Sequence, residues 1–137
     1  MTDFAAMNAK VIDEFRANGG EVGGMFANAP LILVHHFGAK SGTERIAPLV
    51  YLAEGERLFV FASKGGSPEN PAWYHNLLAH PEVTVEVGED TFPVRATVLD
   101  GAERDRVYTR QAAAQPQFAE YQEKTDRLIP VVELVRR

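Results

Sequence analysis

At 137 residues, 45% of them hydrophobic, the chain has enough apolar material for one domain with a real core. A formal net charge of −5 excludes a general nucleic-acid binder, which carries a basic excess. The absence of cysteine excludes disulfides, thiolate nucleophiles and Cys-ligated zinc or iron–sulfur centres, and it fits a cytoplasmic protein.

The opening stretch MTDFAAMNAKVIDEF lacks the charged start and continuous apolar run of a signal peptide. No apolar stretch approaches the ~20 residues that span a bilayer. Phe4, Met7, Val11, Ile12 and Phe15 recur at helical spacing and Gly19-Gly20 stops the pattern, which predicts a helix over about 3–18. Its apolar stripe can dock on the domain or lie peripherally on the inner membrane face. Docking is the preferred reading, because the polar face has few cations for anionic lipids. PLILVHHF (30–37) reads as a buried strand, RIAPLVYLA (45–53) as a second and RLFVFAS (57–63) as a third. NPAWYHNLLAHP predicts a short helix with Asn70 as its cap and Pro71 at the first helical position. EVTVEVG (82–88) and TFPVRATVL (91–99) alternate cleanly around GED, a hairpin signal. Asp100 is placed to cap a helix running to about Gln115, a further helical piece covers about 116–127, and PVVELVRR closes the chain as a sixth strand. No repeat, low-complexity segment or linker divides residues 1–137, so they read as a single domain. Six strands, mostly hairpin-linked, with helices at the ends and in two crossovers, predict a mainly β, α+β fold. Its form is a small antiparallel barrel with appended helices. The strand-linked GxGxxG of a dinucleotide fold is missing.

Two loops hold the positive charge of chemical interest. GAKSGTER carries Lys40, Ser41, Gly42 and Arg45; SKGG carries Ser63, Lys64, Gly65 and Gly66. Glycines open turns so that backbone N–H groups converge on an anion, and Lys or Arg adds charge. If the second and third strands are hairpin partners, both loops lie at one barrel end. Each loop alone also reads as a solvated turn; neither is a Walker A loop. Trp73 packs its helix onto the barrel and can at the same time wall a flat ligand. His35 and His36 point to opposite strand faces, and His75 and His80 lack i,i+4 spacing, so no metal site is predicted. HExxH and GxSxG are absent. Phe118 and Tyr121 share a helical face, either as core or as a lid over the barrel mouth.

GAKSGTERIAPLVYL, FVFASKGGSPENPAWYHNLLAHPEVTVEVG and YQEKTDRLIPVVEL resemble the deazaflavin-dependent nitroreductase and quinone reductase family over nearly the whole chain from Val34 onward. The resemblance implies an FMN-binding-like split β-barrel, coenzyme F420, and hydride transfer to a small electron-poor acceptor: a quinone, an activated alkene or a nitroaromatic. It places Lys40, Ser41, Gly42 and Arg45 at the coenzyme phosphate and Pro48 beside the ring. Ala62, Ser63, Lys64 and Gly65 fall on the loop facing the coenzyme, with Asn70, Pro71 and Trp73 on the flanking helix. Val50, Phe118 and Tyr121 are implied on the acceptor side, with Ser63 and Tyr121 as hydrogen-bond donors or proton relays. Ala39 stands where relatives often carry Arg, and Gln115 and Phe118 stand where nitroimidazole-reducing relatives carry tyrosines. The rival readings are an FMN- or haem-type split-barrel protein and a non-catalytic deazaflavin carrier. Oligomeric state is left open.

Overall fold

The computed structural model describes residues 4–21 and 30–137, with side chains from Ala9 onward. Six strands form a closed barrel: β1 (Leu31–Phe37), β2 (Glu44–Glu54), β3 (Arg57–Phe61), β4 (Glu82–Val87), β5 (Asp90–Val98) and β6 (Val131–Arg136). Their order around the barrel is β1-β2-β3-β6-β5-β4, and every neighbouring pair is antiparallel. The α-helices among the described residues are α1 (Phe4–Ala17), α2 (Ala72–Ala79), α3 (Gly101–Ala114) and α4 (Gln117–Glu123). The predicted α+β barrel with six strands is the fold observed.

Strand periodicity sorts the side chains. On β1, Ile32 and Val34 enter the barrel core, where they meet Val60, Val85 and Val132. Leu31 and Leu33 point the other way and are covered by α1 through Phe15, Val11 and Ile12. Phe59, Phe61 and Val131 lie in a separate cluster with Val107 and Tyr108 of α3 and Phe118 of α4. The β3–β6 seam is therefore packed on both faces, which explains its unbroken apolar runs. Trp73 and Leu77 of α2 belong to the barrel core. Trp73 thus packs its helix onto the barrel, as one of its two predicted roles required.

Docking is also what α1 does. Phe15 is 1% exposed against Leu31 and Leu33. Arg16 donates to both carboxylate oxygens of Glu86 at 3.1 and 2.7 Å, which fixes the end of the helix to β4. Phe4 and Met7 of the predicted stripe lie outside the described side chains. No helix among the described residues is long and apolar enough to cross a membrane.

Several boundaries differ from the sequence reading, each for a local reason. β3 stops at Phe61, two residues early: the Ala62 N–H still donates to the Pro130 carbonyl at 3.0 Å, but the Ala62 carbonyl is taken by Arg127. Helix α2 begins one residue later than predicted. Pro71, with φ −68° and ψ 155°, is the extended cap residue, and Asn70 does not cap: its Oδ1 accepts from Arg127 Nη1 at 2.7 Å. Asp100 holds the cap position of α3, but its side chain makes no capping hydrogen bond. The last helical piece ends at Glu123 rather than near 127, because Arg127 and Ile129 are drawn into bonds outside a helix. β3 also exits opposite the middle of β2: its last residue, Phe61, falls beside Val50, where Tyr51 pairs with Val60. The two basic loops leave their strands in the same direction, but the second departs about six residues, roughly 20 Å, short of the first.

Phe15→Ala is expected to lower the unfolding free energy by about 3–5 kcal/mol, read from urea titrations, because it empties a buried site under α1. A helix that served only as a membrane anchor would leave that value unchanged.

Candidate functional site

The loop after β3 is built around one cation. The Arg127 guanidinium donates to the carbonyls of Ala62 (3.0 Å), Ser63 (2.9 Å) and Ser67 (3.0 Å), and to Asn70 Oδ1 (2.7 Å). No carboxylate among the described residues pairs with it, and burial pulls its pKa below the usual arginine value. It remains a cation, and its five donors suit a ring of inward-turned oxygens.

With its carbonyls gathered inward, the loop can turn its N–H groups outward. Ser63 is right-handed (φ −77°, ψ −40°) and Lys64 is left-handed (φ 46°), the one non-glycine with positive φ among the described residues. A right-handed residue followed by a left-handed one is the backbone sequence of a nest, in which successive N–H groups can converge on an anion. Lysine pays a steric penalty in that region, and such strain collects where function fixes the backbone. Gly66, at φ 84°, closes the turn; a Cβ there would lie 2.8 Å from the carbonyl oxygen of Tyr121. Only glycine lets the loop sit directly on α4.

A second arginine holds α4 in place. Arg104 is 5% exposed and donates to the Ile129 carbonyl through Nε (3.1 Å) and Nη2 (2.8 Å), and to Gln122 Oε1 at 2.7 Å. Gln122 in turn donates to the Arg127 carbonyl at 2.8 Å. The chain of bonds runs from α3 through α4 to the loop. Tyr108 seals it by donating to the Phe118 carbonyl at 2.6 Å, and burial pushes its hydroxyl up to about 12.

The loop between β1 and β2 is fixed from α2. Asn76 Oδ1 accepts from the Ala39 N–H at 2.9 Å. That orients the amide so that Nδ2 donates to His36 Nδ1, also at 2.9 Å. His36 is buried, and its pKa is lowered to about 4 by desolvation first, then by the charges of Arg45 and His35. Ser41 Oγ accepts from Thr43 N at 3.2 Å and lies where a Cβ on Gly38 would fall. Lys40 and Arg45 are exposed and have no carboxylate partner among the described residues, and Lys64 reaches only Glu69, at 3.9 Å. Most other arginines are committed: Arg16, Arg57, Arg95, Arg106, Arg110 and Arg137 all pair with glutamates.

The predicted residues thus fall into three groups. Lys40, Ser41, Gly42 and Arg45 share the first loop and the start of β2, with buried Pro48 three residues further on. Ala62, Ser63, Lys64, Gly65, Asn70 and Pro71 share the second loop, with Trp73 beyond it. Val50, Phe118 and Tyr121 join one apolar cluster, and the Phe118 and Tyr121 rings meet edge-on at 5.2 Å. Sequence reasoning missed Arg127, Arg104, Gln122, Asn76 and His36. Arg127 had one signal: an arginine between the lid and the apolar last strand has no helix or strand face to decorate. No group of potential metal ligands occurs among the described residues.

The family model for F420H(2)-dependent quinone reductases matches residues 8–135. The chain belongs to this family. It is similar to an F420H(2)-dependent quinone reductase of Mycobacterium tuberculosis, with 37% identity over 90% of this chain and 85% of that one. Among solved structures it resembles an F420-H2 dependent reductase, FDR-A (TM-score 0.71, 43% identity, covering 77% of this chain and 93% of that one). It also resembles a protein described as a domain-swapped dimer (TM-score 0.73, 38% identity, 96% and 97%). The heme storage protein HutZ of Vibrio cholerae shares the fold alone, at 14% identity and TM-score 0.63. The chain is an F420H2-dependent oxidoreductase, and F420 is its cofactor. The donor set fits that coenzyme: unpaired cations on the first loop and a backbone nest on the second suit an anionic, planar ligand.

Two outcomes are expected. Arg127→Met removes the guanidinium from three carbonyls, of which only that of Ser63 keeps a second donor, the Gly66 N–H, and weakens F420 binding at least about tenfold in a fluorescence titration, while Arg127→Lys recovers part of it. His36 binds its proton more readily when unfolded (about 6.5) than when folded (about 4), so its stabilising effect is full above pH 6.5 and is lost as pH falls toward 4. His36→Gln should flatten that part of the stability–pH profile, measured by urea unfolding at a series of pH values.

Proposed function

We propose that the two loops hold the deazaflavin coenzyme along α2 and that the acceptor is a quinone held under α4. The observation that supports this most is the contact of Gly66 with the Tyr121 backbone, which makes the coenzyme loop and the lid one continuous wall. When bound, reduced F420 supplies a hydride from ring C5. Everything else falls to the chain. Lys40, Ser41, Gly42 and Arg45 take the coenzyme's anionic part, and Ala62, Ser63, Lys64 and Gly65 present backbone and charge to it. Pro48 and Trp73 give apolar support, with Asn70 and Pro71 setting the entry to α2. Val50, Phe118 and Tyr121 form the apolar side against which a flat acceptor lies, and they exclude water from it.

Negative charge develops on a quinone oxygen as it is reduced. A fixed hydroxyl donor stabilises that charge without reorganising. Ser63 and Tyr121 carry hydroxyls with no hydrogen-bond partner among the described residues, in contrast to Tyr108, whose hydroxyl is spent on Phe118. They are the donors to the acceptor oxygen, and either can pass on its proton afterwards.

The test is single-turnover oxidation of F420H2 by menadione, with coenzyme affinity measured beside it. Tyr121→Phe and Ser63→Ala should keep the affinity and lose rate by about tenfold or more. Lys40→Ala and Lys64→Ala should instead weaken binding by about tenfold. Wild-type rates in both hydroxyl variants would remove them from the reaction.

A further inference from the structure

Four polar or charged residues are buried among the described residues: His36, Asn76, Arg104 and Gln111. The first three are hydrogen-bonded: Asn76 serves His36 and Ala39, and Arg104 serves Ile129 and Gln122. Gln111 is the exception. It is 1% exposed, and its side-chain nitrogen has no partner among the described residues. A buried donor left without an acceptor destabilises a fold, whereas Leu or Met of similar volume fills the same space without that penalty. Packing therefore gives no reason for an amide here, and local violations of this kind are expected where function requires them.

Its position ties it to the acceptor side. Arg104, Val107, Tyr108 and Gln111 form the buried face of α3. On either side of Gln111 in the chain, Tyr108 and Ala112 belong to the apolar cluster that also holds Val50, Phe118 and Tyr121. Glu103 pairs with Arg57, and Arg106 and Arg110 pair with Glu54, which lays α3 along the β2–β3 hairpin with Gln111 one turn beyond Val107. Phe118 links the two tyrosines: its ring meets that of Tyr121 at 5.2 Å and that of Tyr108 at 6.4 Å, both edge-on. A flat acceptor against Phe118 thus has Tyr121 on one flank and the α3 turn of Tyr108 and Gln111 on another.

We propose that Gln111 determines specificity for the acceptor by donating from Nε2 to the second carbonyl oxygen of a quinone. The proposal rests on the placement of the acceptor against Val50, Phe118 and Tyr121. A quinone has two carbonyl oxygens. Ser63 and Tyr121 serve one, and a donor held in the apolar cluster favours acceptors that carry the other. A bond to that second oxygen draws electron density from the ring and so favours acceptance of the hydride. The amide is neutral; it holds the oxygen and transfers no proton. The Phe118 backbone carbonyl is held by Tyr108 at 2.6 Å, so it is the Phe118 ring that swings aside to open Nε2 to the acceptor.

The test replaces Gln111 with Met, which keeps the volume and removes the amide. Gln111→Met should raise the midpoint of thermal unfolding by roughly 3 °C or more, because the unpartnered donor is gone. It should leave F420 affinity unchanged in a fluorescence titration and lower kcat/KM for menadione by about tenfold. In the wild-type chain the Gln111 side-chain amide resonance, assigned by through-bond NMR, should move downfield on addition of menadione and stay in place with F420 alone. A glutamine with a purely structural role gives the opposite stability result. A lowered unfolding midpoint, a loss of F420 affinity, a kcat/KM within about twofold of wild type, or an amide resonance indifferent to menadione would each overturn the role of Gln111. If Tyr121→Phe still slows the reaction in that case, the acceptor placement stands without Gln111. If Tyr121→Phe and Phe118→Ala both leave the menadione kinetics unchanged, the placement falls and the proposal with it.

Discussion

A loop that must offer N–H groups to a ligand has to hide its carbonyls, and here Arg127 takes them. Three carbonyls and an amide oxygen converge on one guanidinium. A lysine has no planar fork to serve four oxygens at fixed angles, and a water cluster would let the loop breathe. With the carbonyls satisfied, the left-handed Lys64 and the close approach of Gly66 to α4 become tolerable. The early end of β3, the displaced start of α2 and the short α4 are all adjustments to this one interaction.

The same arrangement joins parts of the chain that are far apart in sequence. Arg104 on α3 bonds Gln122 on α4, Gln122 bonds the Arg127 backbone, and Arg127 holds the Ala62–Asn70 loop. Asn76 performs the corresponding task for the first loop, with His36 as its neutral support. Each loop is thus held by a side chain whose own hydrogen bonds are spent on the protein, while Lys40, Arg45, Ser63 and Tyr121 are among the described residues left with unspent charge or hydrogen-bonding capacity. On the proposed reading, positioning and chemistry are divided between different residues.

Much of this was legible beforehand, and the gaps have a common cause. Alternation on β4 and β5, the Gly19-Gly20 stop and the apolar run of β1 are local signals, so those elements matched closely. Trp73 beside Pro71 marked the start of α2 because its size and place leave few alternatives to packing. What failed was whatever depends on a partner distant in sequence. Asn70 has the right composition for a cap, yet its oxygen is claimed by a residue 57 positions later. His36 looked like an isolated histidine because Asn76 is 40 positions away. Arg127 was invisible as a clamp because nothing in TDRLIP says which carbonyls will come to it. The family resemblance rested on contiguous motifs, which is why coenzyme and fold came through and the supporting side chains did not.

Barrel closure has a consequence for how the site comes into being. β3 meets β6 over the pairs from Phe59↔Glu133 to Phe61↔Val131, bringing together segments about 70 residues apart, while β1–β2, β2–β3 and β4–β5 are local hairpins. Loop-closure entropy delays such distant pairing relative to hairpins. Arg127 lies just before β6, so it reaches Ala62 and Ser63 only when that last strand docks. A nascent chain still tethered within its final fifteen or so residues has its basic loop but no organised nest. On the proposed reading, competence to hold the coenzyme is therefore acquired together with completion of the fold, and a partly folded chain has no means of sequestering it.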